Sequence, residues 1–253
     1  MTPPSPTSLQ LPSSLAGRQV VVIDVEGNGR RPPEIIEIAV LPMTTTHAAT
    51  VADLRTWLVR PVTPITGIVT SKVHGITNAD VADAPLWTEV ADDIVASISG
   101  RVMVAHHAAV ENRVLGAHLP GWEPPLVLDT LRLAKTVWPD LPGGYGLDHL
   151  IAHTHLTPPP TTAPIGKIRS DAGSGGSSRA GRRHRAGYDT WMTAALLITL
   201  LTELDEHGDE HGDELGGSAW THLTAAAALP LPRPARSPDA SAGTAEQKEG
   251  GLW

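Results

Sequence analysis

The sequence predicts a mixed α/β sandwich, a single sheet with helices on both faces. Three observations carry that expectation. Three short, β-branched apolar runs come first, separated by Gly- and Pro-containing turns. Strand-like and helix-like stretches then alternate. A long segment with helical apolar spacing closes the series.

Residues 19–25 (QVVVIDV) are apolar and β-branched and run out into acids and glycine, as a central strand does. Residues 34–41 (EIIEIAVL) predict a second strand, and residues 54–59 (LRTWLV), stopped by Pro61, a third. Short turns between them predict an antiparallel meander. Thr77 is placed to cap a short helix over 77–82, and residues 87–98 have helical apolar spacing. A fourth strand is expected at 102–105, an amphipathic helix at 108–119, a fifth strand at 126–129 and a helix at 130–137. Residues 146–153 predict one more short helix. The last helix, 188–204, lines up Leu196, Leu197, Leu200, Leu201 and Leu204 on one face.

Composition sets the limits of the domain and of its chemistry. Residues 1–17, rich in Pro, Ser and Thr, predict a disordered leader without the charge or apolar stretch of a secretory signal. The ordered domain is expected over 18–205, interrupted at 158–183 by a Pro- then Gly/Ser-rich mobile insertion. An acidic and then Ala/Pro-rich tail follows over 206–253, mostly disordered apart from a helix at 220–228. No apolar run approaches the roughly 20 residues needed to span a bilayer. The chain has no cysteine, which excludes disulfides and thiolate metal sites and leaves Asp, Glu and His as metal ligands. A soluble, cytoplasmic protein is expected. The net charge of −8 is concentrated in the acids of residues 203–214, whereas residues 167–185 hold six basic residues against one acid. That local basic patch suits a polyanionic partner, and equally suits a solvated loop.

Three clusters carry chemistry. Asp24 and Glu26 stand two apart at the end of the best-defined strand, so their side chains share one face. Two convergent carboxylates repel unless a divalent cation lies between them, and hard oxygen donors favour Mg²⁺ or Mn²⁺. Solvated acids at a strand terminus read the same way in isolation. Glu111 falls near the start of a helix that follows a strand, at the rim where ligands gather in α/β sheets. Acids favoured by the helix dipole also occupy such positions. His184 and Asp189 flank the start of the last helix, an imidazole able to take a proton near neutral pH beside a carboxylate able to ligate metal.

Taken in order, Asp24-x-Glu26, His106-x-x-x-x-Glu111 and His184-x-x-x-x-Asp189 resemble the three motifs of the DEDDh (DnaQ-like) 3′→5′ exonuclease family over about residues 20–200. IIEIAV, VHGIT, VAHHAAVE, LDTLRLA and YGLDHL are similar to the family's supporting stretches. The resemblance implies a ribonuclease H-like mixed five-stranded sheet whose first three strands are antiparallel. It implies two Mg²⁺ or Mn²⁺ ions held by Asp24, Glu26, Glu111 and Asp189, with His184 as general base. It also implies hydrolysis of single-stranded DNA or RNA from the 3′ end to nucleoside 5′-monophosphates. Gly27, Asn28 and Gly29 would cradle the terminal nucleotide, and Arg182, Arg183 and Arg185 would grip phosphate.

Two departures qualify the resemblance. Glu111 stands where the family usually has Asp, one methylene shorter, and Gly27-Asn28 replaces a usual pair of threonines. A second reading is therefore a weak or silent exonuclease-fold module that binds nucleic acid or a polymerase. Whether the chain forms a homodimer is left open by the sequence.

Overall fold

The computed structural model describes residues 8–159, 184–210 and 219–230. Five strands form one mixed sheet: β2 (Val20–Gly27), β3 (Ile35–Met43), β5 (Arg55–Leu58), β6 (Val102–Ala105) and β7 (Val127–Asp129). Their order is β5-β3-β2-β6-β7. β2, β3 and β5 are antiparallel, while β6 and β7 run parallel to β2. The sheet is thus mixed and five-stranded with its first three long strands antiparallel, as the resemblance implies. β2 is central, with an antiparallel neighbour on one side and a parallel one on the other.

Alternation along β2 divides the molecule into two layers. Val20 and Val22 face a core shared with Ala39, Leu41, Val104 and the helix α6 (Ala186–Glu210), which supplies Trp191, Leu196, Leu197 and Leu200. Val21 and Ile23 face the opposite core, filled by Ile94 and Ile98 of α2 (Trp87–Ile98) and by Val114 and Leu115 of α3 (Ala109–His118). With no Phe in the chain, aliphatic side chains and a fully buried Trp191 fill the interior. Two shorter helices, α4 (Thr130–Val137) and α5 (Leu147–His153), pack on the α6 side.

Three expectations are corrected. Residues 8–17 are not a disordered leader. Leu9, Leu11 and Leu15 are buried in the α6-side core, and β1 (Ser8–Leu9) pairs with β4 (Ala49–Thr50). Three leucines supply the burial that the surrounding Pro and Ser do not. The helix expected at 77–82 is a series of turns, held by Asp80 Oδ2, which accepts from both the N–H and the hydroxyl of Thr77. A helix absent from the sequence reading, α1 (Gly67–Lys72), precedes it. Past the expected domain end, α6 continues to Glu210. The expected helix at 220–228 is present as α7 (Ala219–Ala227), with Leu223 fully buried and the Leu229 N–H donating to the Val127 carbonyl at 2.9 Å. This helix seals the β7 edge of the sheet. The basic insertion expected at 158–183, with Arg182 and Arg183, lies outside the described residues apart from its first two positions. No helix among the described residues is long and apolar enough to cross a membrane.

Candidate active site

Because β2 alternates, Asp24 and Glu26 share the face of Val20 and Val22, which is the side covered by α6. The first turn of α6 lies over the end of β2 and carries Asp189. One carboxylate oxygen from each of Asp24, Glu26 and Asp189 lies within 4.8 Å of the others. Residues far apart in the chain are thereby brought to one point by the strand–helix crossing.

Glu111 arrives from the other layer, in the first turn of α3. It is buried, its Oε2 has no hydrogen-bond partner, and it is not part of the 4.8 Å group. Its charge is nonetheless felt by both Asp24 and Glu26. The turn leading into α3 is held by Asp129, whose Oδ1 accepts from the His107 N–H at 2.9 Å, with His107 in the left-handed region at φ 64°. His106 of the same motif is structural: its Nε2 lies 2.9 Å from the Tyr145 carbonyl and its Nδ1 3.0 Å from the Thr130 hydroxyl.

The acids raise one another's proton affinity. Burial, then the charges of Asp189, Glu26, Glu111 and Glu37, push Asp24 well above the usual carboxylate range. Burial together with Asp189 and Glu37 pushes Glu26 up to about 9, against a lowering by Arg185. Burial and the Asp129 charge push Glu111 to about 8. Burial, Asp148 and Glu37 push Asp189 to about 7. Buried oxygen donors that hold protons at neutral pH, one of them an orphan, form a donor set suited to hard divalent cations.

His184 is exposed and, separated from α6 only by Arg185, has φ 56°. It stands near His74 of the VHGIT stretch. His74 is buried; its Nε2 lies 3.2 Å from the Gly27 carbonyl and its Nδ1 accepts from the Ile76 N–H at 3.0 Å. Both ring nitrogens are engaged in the neutral form, and burial lowers its pKa, with His184 adding to the lowering. Glu37 and Asp148 are further acids at this centre to which the sequence reading gave no role. The signal was present in IIEIAV and YGLDHL, but nothing in those stretches says that their acids turn toward Asp189.

The expected nucleotide cradle is corrected in part. Asn28 is fully buried, and its amide is used to organise the loop: Oδ1 accepts from the N–H groups of Arg30 and Glu34, and Nδ2 donates to the Thr63 carbonyl. Its own N–H donates to Glu34. Asn28 therefore builds the loop and has no free group for a nucleotide. Gly29 is exposed with φ +76°, and a Cβ there would overlap Thr66 Oγ1 and lie 2.9 Å from Val69, so glycine is required for packing. Gly27 is half-buried, with Pro33 3.2 Å from where its Cβ would be. Arg185 is likewise not the expected phosphate ligand. It is buried and forms a forked pair with Glu37, Nε to Oε2 at 2.9 Å and Nη2 to Oε1 at 2.6 Å.

Known proteins resemble this chain in sequence and fold. The RNase T family model, described as exonuclease, matches residues 21–158. Exodeoxyribonuclease 10 of Escherichia coli strain K12 is 32% identical over 146 residues, covering 57% of this chain and 53% of that protein. A PolC-type DNA polymerase III of Caldanaerobacter subterraneus is 29% identical over 205 residues, covering 78% of this chain and 12% of the polymerase. The chain thus spans about half of the first relative's length and a small part of the second's. Exonuclease X in complex with 5′-overhanging duplex DNA is similar with a TM-score of 0.53 and 29% identity, over 72% of this chain and 91% of that one. A 3′-exonuclease bound to a histone mRNA stem-loop superposes with a TM-score of 0.54 at 15% identity, over 74% of this chain and 83% of that one, a likeness of fold alone.

Proposed function

The chain belongs to the RNase T exonuclease family, and from that premise we propose that it removes nucleotides one at a time from single-stranded 3′ ends of DNA or RNA, releasing nucleoside 5′-monophosphates. The observation that carries the proposal is the convergence of Asp24, Glu26 and Asp189 within 4.8 Å. Those three residues would hold one divalent ion, Mg²⁺ or Mn²⁺. Glu111, buried with an orphaned oxygen and electrostatically coupled to Asp24, would share a second with it. Bound there, the ions supply Lewis-acid stabilisation of charge on the attacking and leaving oxygens of an in-line displacement.

The chain's own residues account for the rest. His184, exposed and one residue ahead of α6, takes the proton of the attacking water. His74 holds the Gly27 carbonyl and so fixes the loop beside the acids, where the sugar of the terminal nucleotide would lie against Gly27 and Gly29. Arg182 and Arg183 are proposed to contact phosphate.

The test is incubation with 5′-labelled single-stranded DNA and RNA in Mg²⁺, Mn²⁺ or chelator. Stepwise shortening from the 3′ end, abolished by chelator, is expected. Tight binding without cleavage in either metal would favour the second reading, a silent module, for which the departure at Glu111 is the specific support.

A further inference from the structure

We propose that the buried Glu37–Arg185 pair is a positioning device: it fastens the first turn of α6, with His184 and Asp189, to the strand that lies beside Asp24 and Glu26. The inference rests on the exonuclease reading for its consequence in turnover, but its geometry stands independently.

Glu37 accepts three hydrogen bonds. Two come from the Arg185 guanidinium, and the third comes from the Ala186 N–H at 3.0 Å. The first N–H groups of a helix lack intrahelical partners. Here one of them is satisfied by a carboxylate 149 positions away in sequence, so a residue of β3 caps α6. One turn on, the Thr190 hydroxyl donates to the Ala39 carbonyl at 3.3 Å, a second fastening to the same strand. The register makes the coupling direct. Glu37 is the cross-strand partner of Glu26, and Ala39 is that of Asp24. The two β3 residues that grip α6 are therefore the neighbours of the two acids that Asp189 must meet.

The choice of an ion pair points the same way. A buried salt bridge contributes little net stability compared with a well-packed apolar pair. Glutamates directly opposite one another on antiparallel strands repel, and the Arg185 charge, which acts on both Glu37 and Glu26, offsets that repulsion. The forked guanidinium also fixes direction, which an apolar contact would not. His184 precedes Arg185 directly, and the Asp189 N–H donates to the Arg185 carbonyl at 2.9 Å, so both functional side chains inherit the anchor.

Three variants of the full chain, E37Q, R185Q and R185K, test this. Thermal melting reports folding, calorimetric titration with Mn²⁺ reports the acid centre, and kcat and KM are measured on a 5′-labelled oligonucleotide. E37Q and R185Q are expected to melt cooperatively, to bind Mn²⁺ about tenfold more weakly, and to lose about 10–100-fold in kcat with little change in KM. R185K, which keeps the charge and one bond, is expected to recover part of both losses. Opposite shifts in Mn²⁺ affinity, weaker for E37Q and tighter for R185Q, would mean that charge alone acts and would overturn the proposal. A raised KM with unchanged kcat would restore Arg185 as a substrate contact and overturn it equally. If R185Q does not fold, E37Q, which keeps the side-chain shape, decides the matter. A wild-type protein inactive on every nucleic acid would defeat the exonuclease reading, while the Mn²⁺ comparison would still judge the clamp.

Discussion

Replacing Asp189 with Asn is expected to stabilise the metal-free protein while abolishing its chemistry. Asp189 is half-buried, and burial with the charges of Asp148 and Glu37 opposes its ionisation. Protonation limits the cost. Asp189 is pushed from 3.8 to about 7, a difference worth about 4 kcal/mol at 1.36 kcal/mol per pH unit. A buried Asn amide still costs about 1–3 kcal/mol in lost hydration, so the net gain is about 2 kcal/mol. In a chain of this size that raises the melting temperature by about 4–8 °C. The sign depends on pH. A carboxyl raised on folding contributes stability below its unfolded pKa and loses it as pH rises through the folded value. The D189N advantage should therefore be small at pH 5 and full above pH 7. Melting chelator-treated wild type and D189N at pH 5 and pH 8 checks this. A variant that melts below wild type at pH 8, or a difference that ignores pH, would refute the premise that burial and neighbouring charge oppose ionisation of Asp189. Mg²⁺ or Mn²⁺ should raise the wild-type melting temperature and D189N's much less, and nuclease activity should fall at least about 100-fold in the variant.

Other perturbations separate the remaining residues. H184A should keep the wild-type melting temperature, since the side chain is exposed, and lose about 10²–10⁴ in kcat; a kcat near wild type would remove His184 from the mechanism. E111D should raise the Mg²⁺-supported rate relative to the Mn²⁺-supported one, and an unchanged ratio would show that the extra methylene is immaterial. L11A should destabilise by about 2–5 kcal/mol in urea unfolding, because Leu11 is fully buried in the α6-side core. A midpoint equal to wild type would return residues 8–17 to the status of a leader.

The sheet was legible because its strands are short, β-branched and bounded by turn residues, and because alternation in residues 20–26 puts Asp24 and Glu26 on one face whatever packs there. The three motifs named the acids, and the strand–helix crossing brings three of them together. What the sequence concealed depends on tertiary burial. Arg185 reads as one of a run with Arg182 and Arg183, and only the position of Glu37 on β3 shows that its guanidinium turns inward. Asn28 lies between two glycines, as a ligand-cradling residue would, yet its amide is consumed by the loop that Glu34 and Thr63 close. The leucines at 9, 11 and 15 are diluted by Pro and Ser, so a composition window passes over them. α1 begins at a glycine and has no buried residues, which leaves no apolar periodicity to find.

The two layers contribute unequally to the centre, and this bears on Glu111. Asp24, Glu26 and Asp189 all belong to the α6 side, where β3 holds strand and helix in register. Glu111 reaches the rim from α3, which packs against the opposite face, and its placement relies on the β6–α3 turn held by Asp129. A carboxylate arriving from the far layer has no strand neighbour to fix it, and the longer side chain extends its reach across the sheet. Its buried Oε2 finds no protein donor among the described residues, so it must be met by a proton or a cation. With its pKa near 8 the proton occupies it at neutral pH, and a metal ion displaces that proton with increasing ease as the pH rises. The residue that departs from the family pattern thus exchanges a proton for a cation as the centre fills, as Asp24 and Glu26 do.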